Sequence, residues 1–261
     1  MKKGLLVGLS LAVLGSAPAF AADLAARHVY TKAPPPVAPI YNWSGFYVGF
    51  NGGDGWSHDC WSTTAVFGVV VPVTSEGCHD ASGGLVGGQV GYRWQMTNWV
   101  FGLEAQGDWA NLKGSNTSLI GTAIGFPYTN QTKIDAIGLF TGQIGYAWNN
   151  VLWYFKGGAA VTRSKYDGLF AGVVFDHATD TRWGGAVGTG VEVGFAPGWS
   201  VGFEYDHLFM GSRNVNLLFP AGIPAIGGVV FRTDSIKQDV DMATVRVNYT
   251  FGGPGPVVAK Y

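Results

Sequence analysis

The C-terminal stretch from residue 244 to residue 251 alternates strictly between polar and apolar side chains. The apolar set is Val245, Val247, Tyr249 and Phe251, and the polar set is Thr244, Arg246, Asn248 and Thr250. Because successive side chains of a β-strand point to opposite faces, this period of two predicts a strand with one apolar and one polar face. The rest of the chain decides whether the apolar face meets a protein core or lipid.

The N-terminus is typical of a secretory signal peptide. Lys2 and Lys3 precede an apolar run that is too short to span a bilayer, and Ala19-Phe20-Ala21 forms an Ala-x-Ala cleavage site. We therefore predict that residues 1–21 are removed on export. Removing the two lysines from the 16 basic residues leaves 14 against 17 acidic residues, a net charge of −3. Such a nearly neutral chain argues against a nucleic-acid partner.

The composition is too apolar for an ordinary soluble domain. Charged residues make up 13% of the chain, against about 25% in soluble domains. After the signal peptide, the sequence contains no apolar run long enough for a membrane helix. An exported chain of this kind has one common solution, a closed transmembrane β-barrel whose apolar residues occupy alternate positions.

Alternating segments recur through the chain and predict eight strands. They are 42–52, 84–94, 99–109, 136–148, 151–162, 182–195, 199–207 and 240–251. Short turns at 95–98, 149–150 and 196–198 alternate with four long loops at 57–82, 111–133, 163–180 and 208–238. This asymmetry predicts an all-β fold, an eight-stranded antiparallel transmembrane β-barrel of up-and-down topology. Both termini and the short turns would face the periplasm, and the loops would be extracellular.

Aromatic residues near the short turns support the membrane interpretation. Tryptophans flank all three turns: Trp94, Trp99, Trp148, Trp153 and Trp199. They would form an interfacial girdle around the periplasmic rim. A soluble barrel of the lipocalin type would instead crowd several of these tryptophans into its lumen and would leave the charged strand residues on its surface.

Two segments flank the predicted barrel, which covers residues 42–251. Residues 22–41 contain Pro34, Pro35, Pro36 and Pro39, so we expect an extended periplasmic linker there. Residues 252–261 form a C-terminal tail.

Charged residues recur on the polar faces of the predicted strands. The inward-facing set comprises Arg93, Glu104, Lys156, Arg182, Glu192, Glu204 and Arg246, with Asp108 and Asp206 beside it. The interior of an eight-stranded barrel is only wide enough for side chains to fill it. We therefore expect a salt-bridge network in the lumen, with Glu104, Lys156, Glu204 and Arg246 at similar depth, because an isolated buried ion is costly. A role in pore selectivity is the alternative.

Cys60 and Cys78 are the only cysteines, and export predicts that they form a disulfide closing the first loop. His58 and His79 lie just outside them in sequence. The disulfide would bring the two histidines near one another, which makes them candidates for binding hemin or a metal. The alternative is that they are solvated loop residues. No cofactor or metal is otherwise indicated.

The sequence offers little support for catalysis. The best available trio is Asp206, His207 and Ser212. Adjacent strand residues point to opposite faces, so Asp206 cannot easily orient His207 as a general base. We predict that the protein is not an enzyme.

Several motifs resemble the outer-membrane immunogenic protein family of alphaproteobacteria. They are Pro34-Pro35-Pro36, residues 41–49 (YNWSGFYVG), Gly145-Tyr146-Ala147-Trp148, Lys156-Gly157-Gly158-Ala159 and residues 257–261 (VVAKY). The resemblance implies an eight-stranded outer-membrane barrel displayed as a surface antigen, with a role in envelope integrity and, for some members, hemin binding. One departure is that Phe251 is followed by a tail, so either Phe251 or Tyr261 could be read by the barrel insertion machinery.

These observations predict a structural, surface-displayed protein of the outer membrane that contributes to envelope integrity. The alternatives are a narrow porin for small hydrophilic solutes and a hemin-binding surface protein. The expected partners are outer-membrane lipid, lipopolysaccharide and, during biogenesis, the insertion machinery.

Overall fold

The computed structural model describes residues 41–251, in which eight strands close one antiparallel barrel in sequence order. The strands are β1 Gly45–Val66, β2 Val69–Met96, β3 Trp99–Thr117, β4 Thr129–Trp148, β5 Val151–Phe170, β6 Val173–Ala196, β7 Trp199–Leu218 and β8 Val230–Phe251, and the one-turn helix α1 is Leu119–Ala123. The predicted signal peptide, the tail and the proline-rich segment, apart from Tyr41, lie outside the described residues. Within residues 41–251, no helix has the length and apolarity to cross a bilayer.

The predicted architecture, eight antiparallel strands in a closed up-and-down barrel, is confirmed. The three short turns fall at the predicted places. We call their end of the barrel the short-turn end and the opposite end the hairpin end. β8 pairs with β1 from Phe251 opposite Phe46 to Arg232 opposite Val66, which closes the ring.

The prediction of four long loops is wrong, because most residues of each predicted loop belong to strands. β1 and β2 remain paired as far as Val66 and Val69, so that only Phe67 and Gly68 form the connection. Phe67 and Gly68 both have positive φ, as do Ala171 and Gly172 between β5 and β6, which is the backbone of a type I′ hairpin turn. The usual Asn-Gly or Asp-Gly signal is missing from both turns, so the sequence did not reveal them. The two other connections, 118–128 and 219–229, are longer.

The predicted faces of the strands are observed. On β8, Val245, Val247 and Phe251 are exposed on the outer surface, whereas Arg246 and Asn248 are buried in the interior. The same alternation on the other strands surrounds the barrel with an outward apolar belt.

Two aromatic girdles bound this belt. The predicted girdle tryptophans at the short-turn end are all exposed. A second girdle, which was not predicted from the sequence, consists of the exposed residues Trp56, Trp109, Trp183 and Phe209. Trp99 and Trp109 mark the two levels on β3, and their ten-residue separation corresponds to about 25 Å for a tilted strand. This height matches the apolar band of outer-membrane barrels.

Beyond the second girdle, the outward residues become polar and charged. Exposed members of this zone, which we call the polar collar, include Asp80, Lys113, Arg163, Arg213 and Lys237. Polar outward residues explain why these segments looked like loops in the sequence, since the apolar half of the alternation is lost there.

We predict that Leu103→Arg destabilises the barrel by about 2–4 kcal/mol, because Leu103 lies near the middle of the belt and an arginine there would face hydrocarbon. Ser115→Arg is the matched control, since Ser115 lies on the same outward face of β3 beyond Trp109. Urea unfolding in lipid vesicles, followed by tryptophan fluorescence, measures both variants. Equal stability of the two variants would contradict the assignment of the belt.

Candidate functional site in the barrel interior

The interior of the barrel is layered, and the inward residues of β8 sample every layer. From the short-turn end they are Thr250, Asn248, Arg246, Thr244, Met242, Val240, Gln238, Ile236, Asp234 and Arg232, and all are buried. Charged or polar positions therefore alternate with apolar ones along the axis. Each layer is completed by inward residues of the other strands.

The central charged layer joins four of the predicted lumen residues. Lys156 Nζ lies 2.6 Å from Glu204 Oε1 and 3.5 Å from Glu104 Oε1. Arg246 Nη2 donates to Glu104 Oε2 at 2.5 Å, and Arg246 Nη1 donates to Glu204. Asp206 Oδ1 lies 3.2 Å from Lys156 Nζ. Two cations and three carboxyl groups thus share one buried cluster, which we call the central charge cluster.

Two tyrosines complete the hydrogen bonding of this cluster. Tyr47 donates from its hydroxyl to Glu104 Oε2 at 2.6 Å, and Tyr154 donates to Glu204 Oε2 at 2.5 Å. Each ring lies over a glycine on the neighbouring strand. A Cβ atom at Gly91 would lie 2.5 Å from the Tyr47 ring, and one at Gly190 would lie 2.5 Å from the Tyr154 hydroxyl. The glycines therefore make room for the tyrosines that orient the two glutamates.

A second ion pair lies nearer the short-turn end. Arg93 and Glu192 form two parallel hydrogen bonds, of 3.0 Å and 2.6 Å. The Arg93 guanidinium also lies 4.4 Å from the Tyr47 ring centroid, which links it to the central cluster. Trp43 precedes β1 and is fully buried, with its backbone N–H donating to the Gln95 side chain at 2.9 Å. Trp43 therefore covers the lumen at this end.

An apolar layer separates the central charge cluster from the hairpin end. It is built from buried inward residues of most strands, including Leu112, Ile137, Leu139, Leu208, Val240 and Met242. We call this set the apolar layer. Its side chains pack against one another across the interior, next to the charged layer.

Arg182, which the sequence placed in the same network, lies on the far side of the apolar layer. Its Nη2 donates to the Tyr166 hydroxyl at 2.8 Å, and its Nη1 donates to the Ile236 carbonyl at 3.1 Å. Its Nε lies 3.3 Å from Asp180 Oδ2. The lumen charges therefore form separate clusters rather than one network.

A further cluster lies near the hairpin end and was not predicted, because its residues were assigned to loops. Arg232 Nε donates to Asp176 Oδ2 at 2.8 Å, and its Nη1 lies 3.3 Å from Glu76 Oε1 and 3.2 Å from Asp234 Oδ2. Tyr128 also donates to Glu76 Oε1, at 2.6 Å. The continued alternation of Arg232, Asp234, Ile236 and Gln238 was the signal that could have revealed it.

Three carboxyl groups around one arginine leave this hairpin-end cluster with excess negative charge. It lies beyond the second girdle, outside the membrane belt. Burial outweighs the attraction of Arg232 and raises the pKa of Asp234 to about 6, with Glu76 and Asp176 adding to the rise. Burial raises the pKa of Asp176 as well.

Cys60 and Cys78 form a disulfide between directly paired positions of β1 and β2. The bond therefore joins two strands and does not close a loop. His58 and His79 are not brought together, because His58 shares the outward face of Cys60, whereas His79 is offset by one residue from Cys78 and points inward. His58 pairs with Asp80 at 2.6 Å on the outside, and His79 contacts Asn116 and Thr132 inside. The prediction that His58 and His79 come together to bind hemin or a metal is therefore wrong.

The catalytic trio considered in the sequence is also separated. His207 lies 2.7 Å from Asp241 Oδ1 on the outer surface, while Asp206 is buried in the central charge cluster. The two faces of β7 keep Asp206 and His207 apart.

Comparisons with known proteins agree with this architecture. The family model described as outer membrane protein beta-barrel domain matches residues 7–251. The 31 kDa outer-membrane immunogenic protein of Brucella melitensis is 28% identical over 252 residues, which cover 93% of this chain and 97% of that protein. The 25 kDa outer-membrane immunogenic protein of Brucella abortus is 28% identical over 248 residues, covering 94% and 97%. The structure of OprG from Pseudomonas aeruginosa has a similar fold, with a TM-score of 0.50 and 12% identity over 82% of this chain and 100% of that chain.

Removing the Lys156 charge should destabilise the barrel. We predict that Lys156→Met costs about 3–5 kcal/mol, because three buried carboxyl groups lose a shared cation. Adding Asp206→Asn in the same chain should restore part of the loss, since one of the three carboxyl groups left without the cation is then replaced by an amide. Lys237→Met is the control: Lys237 is 62% exposed in the polar collar and should cost less than about 0.5 kcal/mol. Urea unfolding in vesicles measures all three, and similar values for Lys156→Met and Lys237→Met would refute the cluster's role.

Asp234 should make stability depend on pH. Its pKa of about 6 in the folded protein lies above the value of about 3.9 in an unfolded chain, so protonation stabilises the folded state. This stabilisation is complete below about pH 4 and is lost as the pH rises through 6. We predict that lowering the pH from 7.5 to 5 stabilises the wild type by about 1 kcal/mol more than it stabilises Asp234→Asn. The same pH response in both proteins, measured by urea unfolding, would contradict this.

Proposed function

The chain belongs to the outer membrane protein beta-barrel domain family, and from this premise we propose that it is a structural, non-conducting barrel that contributes to envelope integrity. The observation that carries the proposal is the filled interior. The apolar layer spans the lumen between two buried charged clusters, and hydrated ions do not cross such a constriction readily.

In this proposal the hairpin end is extracellular, and both termini lie in the periplasm. Short turns on the periplasmic side and longer extensions outside are the usual arrangement in bacterial outer-membrane barrels. The expected partners are the lipids around the belt and the lipopolysaccharide around the polar collar. The insertion machinery would read either Phe251 or Tyr261 during biogenesis.

The alternatives have less support. A narrow porin for small hydrophilic solutes would need the apolar layer to open. Hemin binding would need a site other than a joint His58 and His79 pair, because their side chains lie on opposite sides of the sheet. An enzymatic role cannot rest on the trio of Asp206, His207 and Ser212, because Asp206 and His207 lie on opposite faces of β7.

Planar bilayers distinguish a filled interior from a pore. We predict that the refolded protein gives no defined conductance steps, because its charged clusters and apolar layer occupy the lumen. An open porin in the same bilayers is the positive control, and heat-modifiable migration on a gel shows that the protein is folded. Stable steps whose size changes in Lys156→Arg would mean that the lumen conducts.

The structural role is tested in cells that lack the protein. Loss should increase detergent sensitivity and vesicle release, and the wild type should reverse both effects. Leu103→Arg, which should disturb the belt, would complement less well than Ser115→Arg at matched expression. Unchanged envelopes in the deletion strain would refute the proposed role in integrity.

A further inference from the structure

The hairpin end carries an unusual outer surface. The outermost segments of all four hairpins, 61–75, 114–132, 168–175 and 214–231, contain no charged residue. Each segment exposes apolar side chains to the surroundings. Val70, Ile124, Val173 and Val229, one on each hairpin, are 84%, 69%, 68% and 46% exposed. We call the surface formed by these four tips the apolar crown.

Aromatic contacts join the four tips into one unit. Phe67 lies 5.3 Å from Phe231, and Phe231 lies 5.8 Å from Phe175, measured between ring centroids. Phe126 stacks on Phe170 at 4.0 Å, which ties the second hairpin to the third. The apolar side chains are therefore presented on a packed base.

The apolar crown is separate from the membrane belt of the same molecule. The polar collar lies between them, and on β3 eight residues separate Trp109 of the second girdle from Thr117. This separation corresponds to about 20 Å along a tilted strand. The bilayer that surrounds the belt therefore cannot also bury the crown.

Several polar groups in the crown find partners within the protein. The Phe67 backbone N–H donates to the Phe231 carbonyl at 2.8 Å, and the Phe219 N–H donates to the Val229 carbonyl at 3.0 Å. The hydroxyls of Thr64, Thr74 and Thr122 likewise donate to backbone carbonyls. Satisfying polar groups internally is the condition for entering hydrocarbon, where water cannot provide hydrogen bonds.

We propose that the apolar crown inserts shallowly into the surface of a second, apposed lipid bilayer. Phe67, Val70 and Val173 would enter the boundary between headgroups and acyl chains, as the apolar faces of interfacial segments do. Exposed basic residues of the polar collar, such as Lys113 and Arg213, would then approach the headgroup phosphates. In a cell this docking rests on the proposed extracellular position of the hairpin end.

A bilayer fits the crown better than a second protein does. Protein interfaces combine an apolar centre with direct hydrogen bonds and a polar rim. The crown's valine, isoleucine and phenylalanine side chains offer no hydrogen bonds, and its hydroxyls named above are already engaged. Binding driven by such a surface should depend on apolar burial and should change little with salt.

The test uses the refolded protein in lipid nanodiscs, one copy per disc, mixed with larger vesicles of neutral phosphatidylcholine. Flotation should carry the protein-bearing discs with the vesicles, whereas empty discs stay behind. Adding about 0.5 M salt, which screens charge–charge interactions strongly, should change the fraction of floated discs little. The double variant Val70→Asp/Val173→Asp should lower the partition coefficient by about tenfold or more, because two charges enter the apolar interface.

Thr179→Asp/Thr181→Asp is the matched control, because both threonines are exposed beside the polar collar and the same two charges are added. Heat-modifiable migration confirms that each variant is folded. No flotation of wild-type discs, or equal flotation of the two double variants, would overturn the proposal. Pairing of wild-type discs with one another without vesicles would also overturn it, in favour of a second copy as the occupant. The discs expose both barrel ends, so these outcomes do not depend on the role in envelope integrity.

Discussion

The neutralisation of charge inside a narrow barrel is the constraint on which the rest of this structure depends. Eight strands enclose a space that side chains fill, so ions placed there cannot rely on bulk water. Lys156 and Arg246 therefore bind Glu104 and Glu204 from opposite strands, and two tyrosines supply further hydrogen bonds. These contacts join β1, β3, β5, β7 and β8 across the interior, in addition to the hydrogen bonds between neighbouring strands.

Buried charges are also paired inside the part of the barrel that lies beyond the membrane belt. Buried charged clusters at two depths are separated by the apolar layer, so each cluster must satisfy its own charges. Near the hairpin end, Arg232 pairs with Glu76, Asp176 and Asp234. The Cys60–Cys78 disulfide links two strands in that part of the barrel. Together these contacts explain how strands of 19 to 28 residues stay paired well past the belt.

The sequence predicted the membrane part of the fold because lipid imposes a strict alternation there. Val245 and Arg246 could be assigned to opposite faces with no structural information, and the short turns followed from the breaks in the pattern. The prediction failed where the outward face became polar. Lys113 and Lys237 carry no apolar signal, so strands were read as loops, and Arg232 and Glu76 were overlooked as interior residues.

By itself, the sequence determined the number and order of the strands, and which side chains point inward within the belt. It could do so because these features depend on local composition and on a period of two residues. Only the tertiary structure decided which inward charges meet, that Arg182 stands apart from Lys156, and that His58 and His79 lie on opposite sides of the sheet. Those outcomes depend on the register and stagger between strands far apart in the chain, which no local pattern encodes.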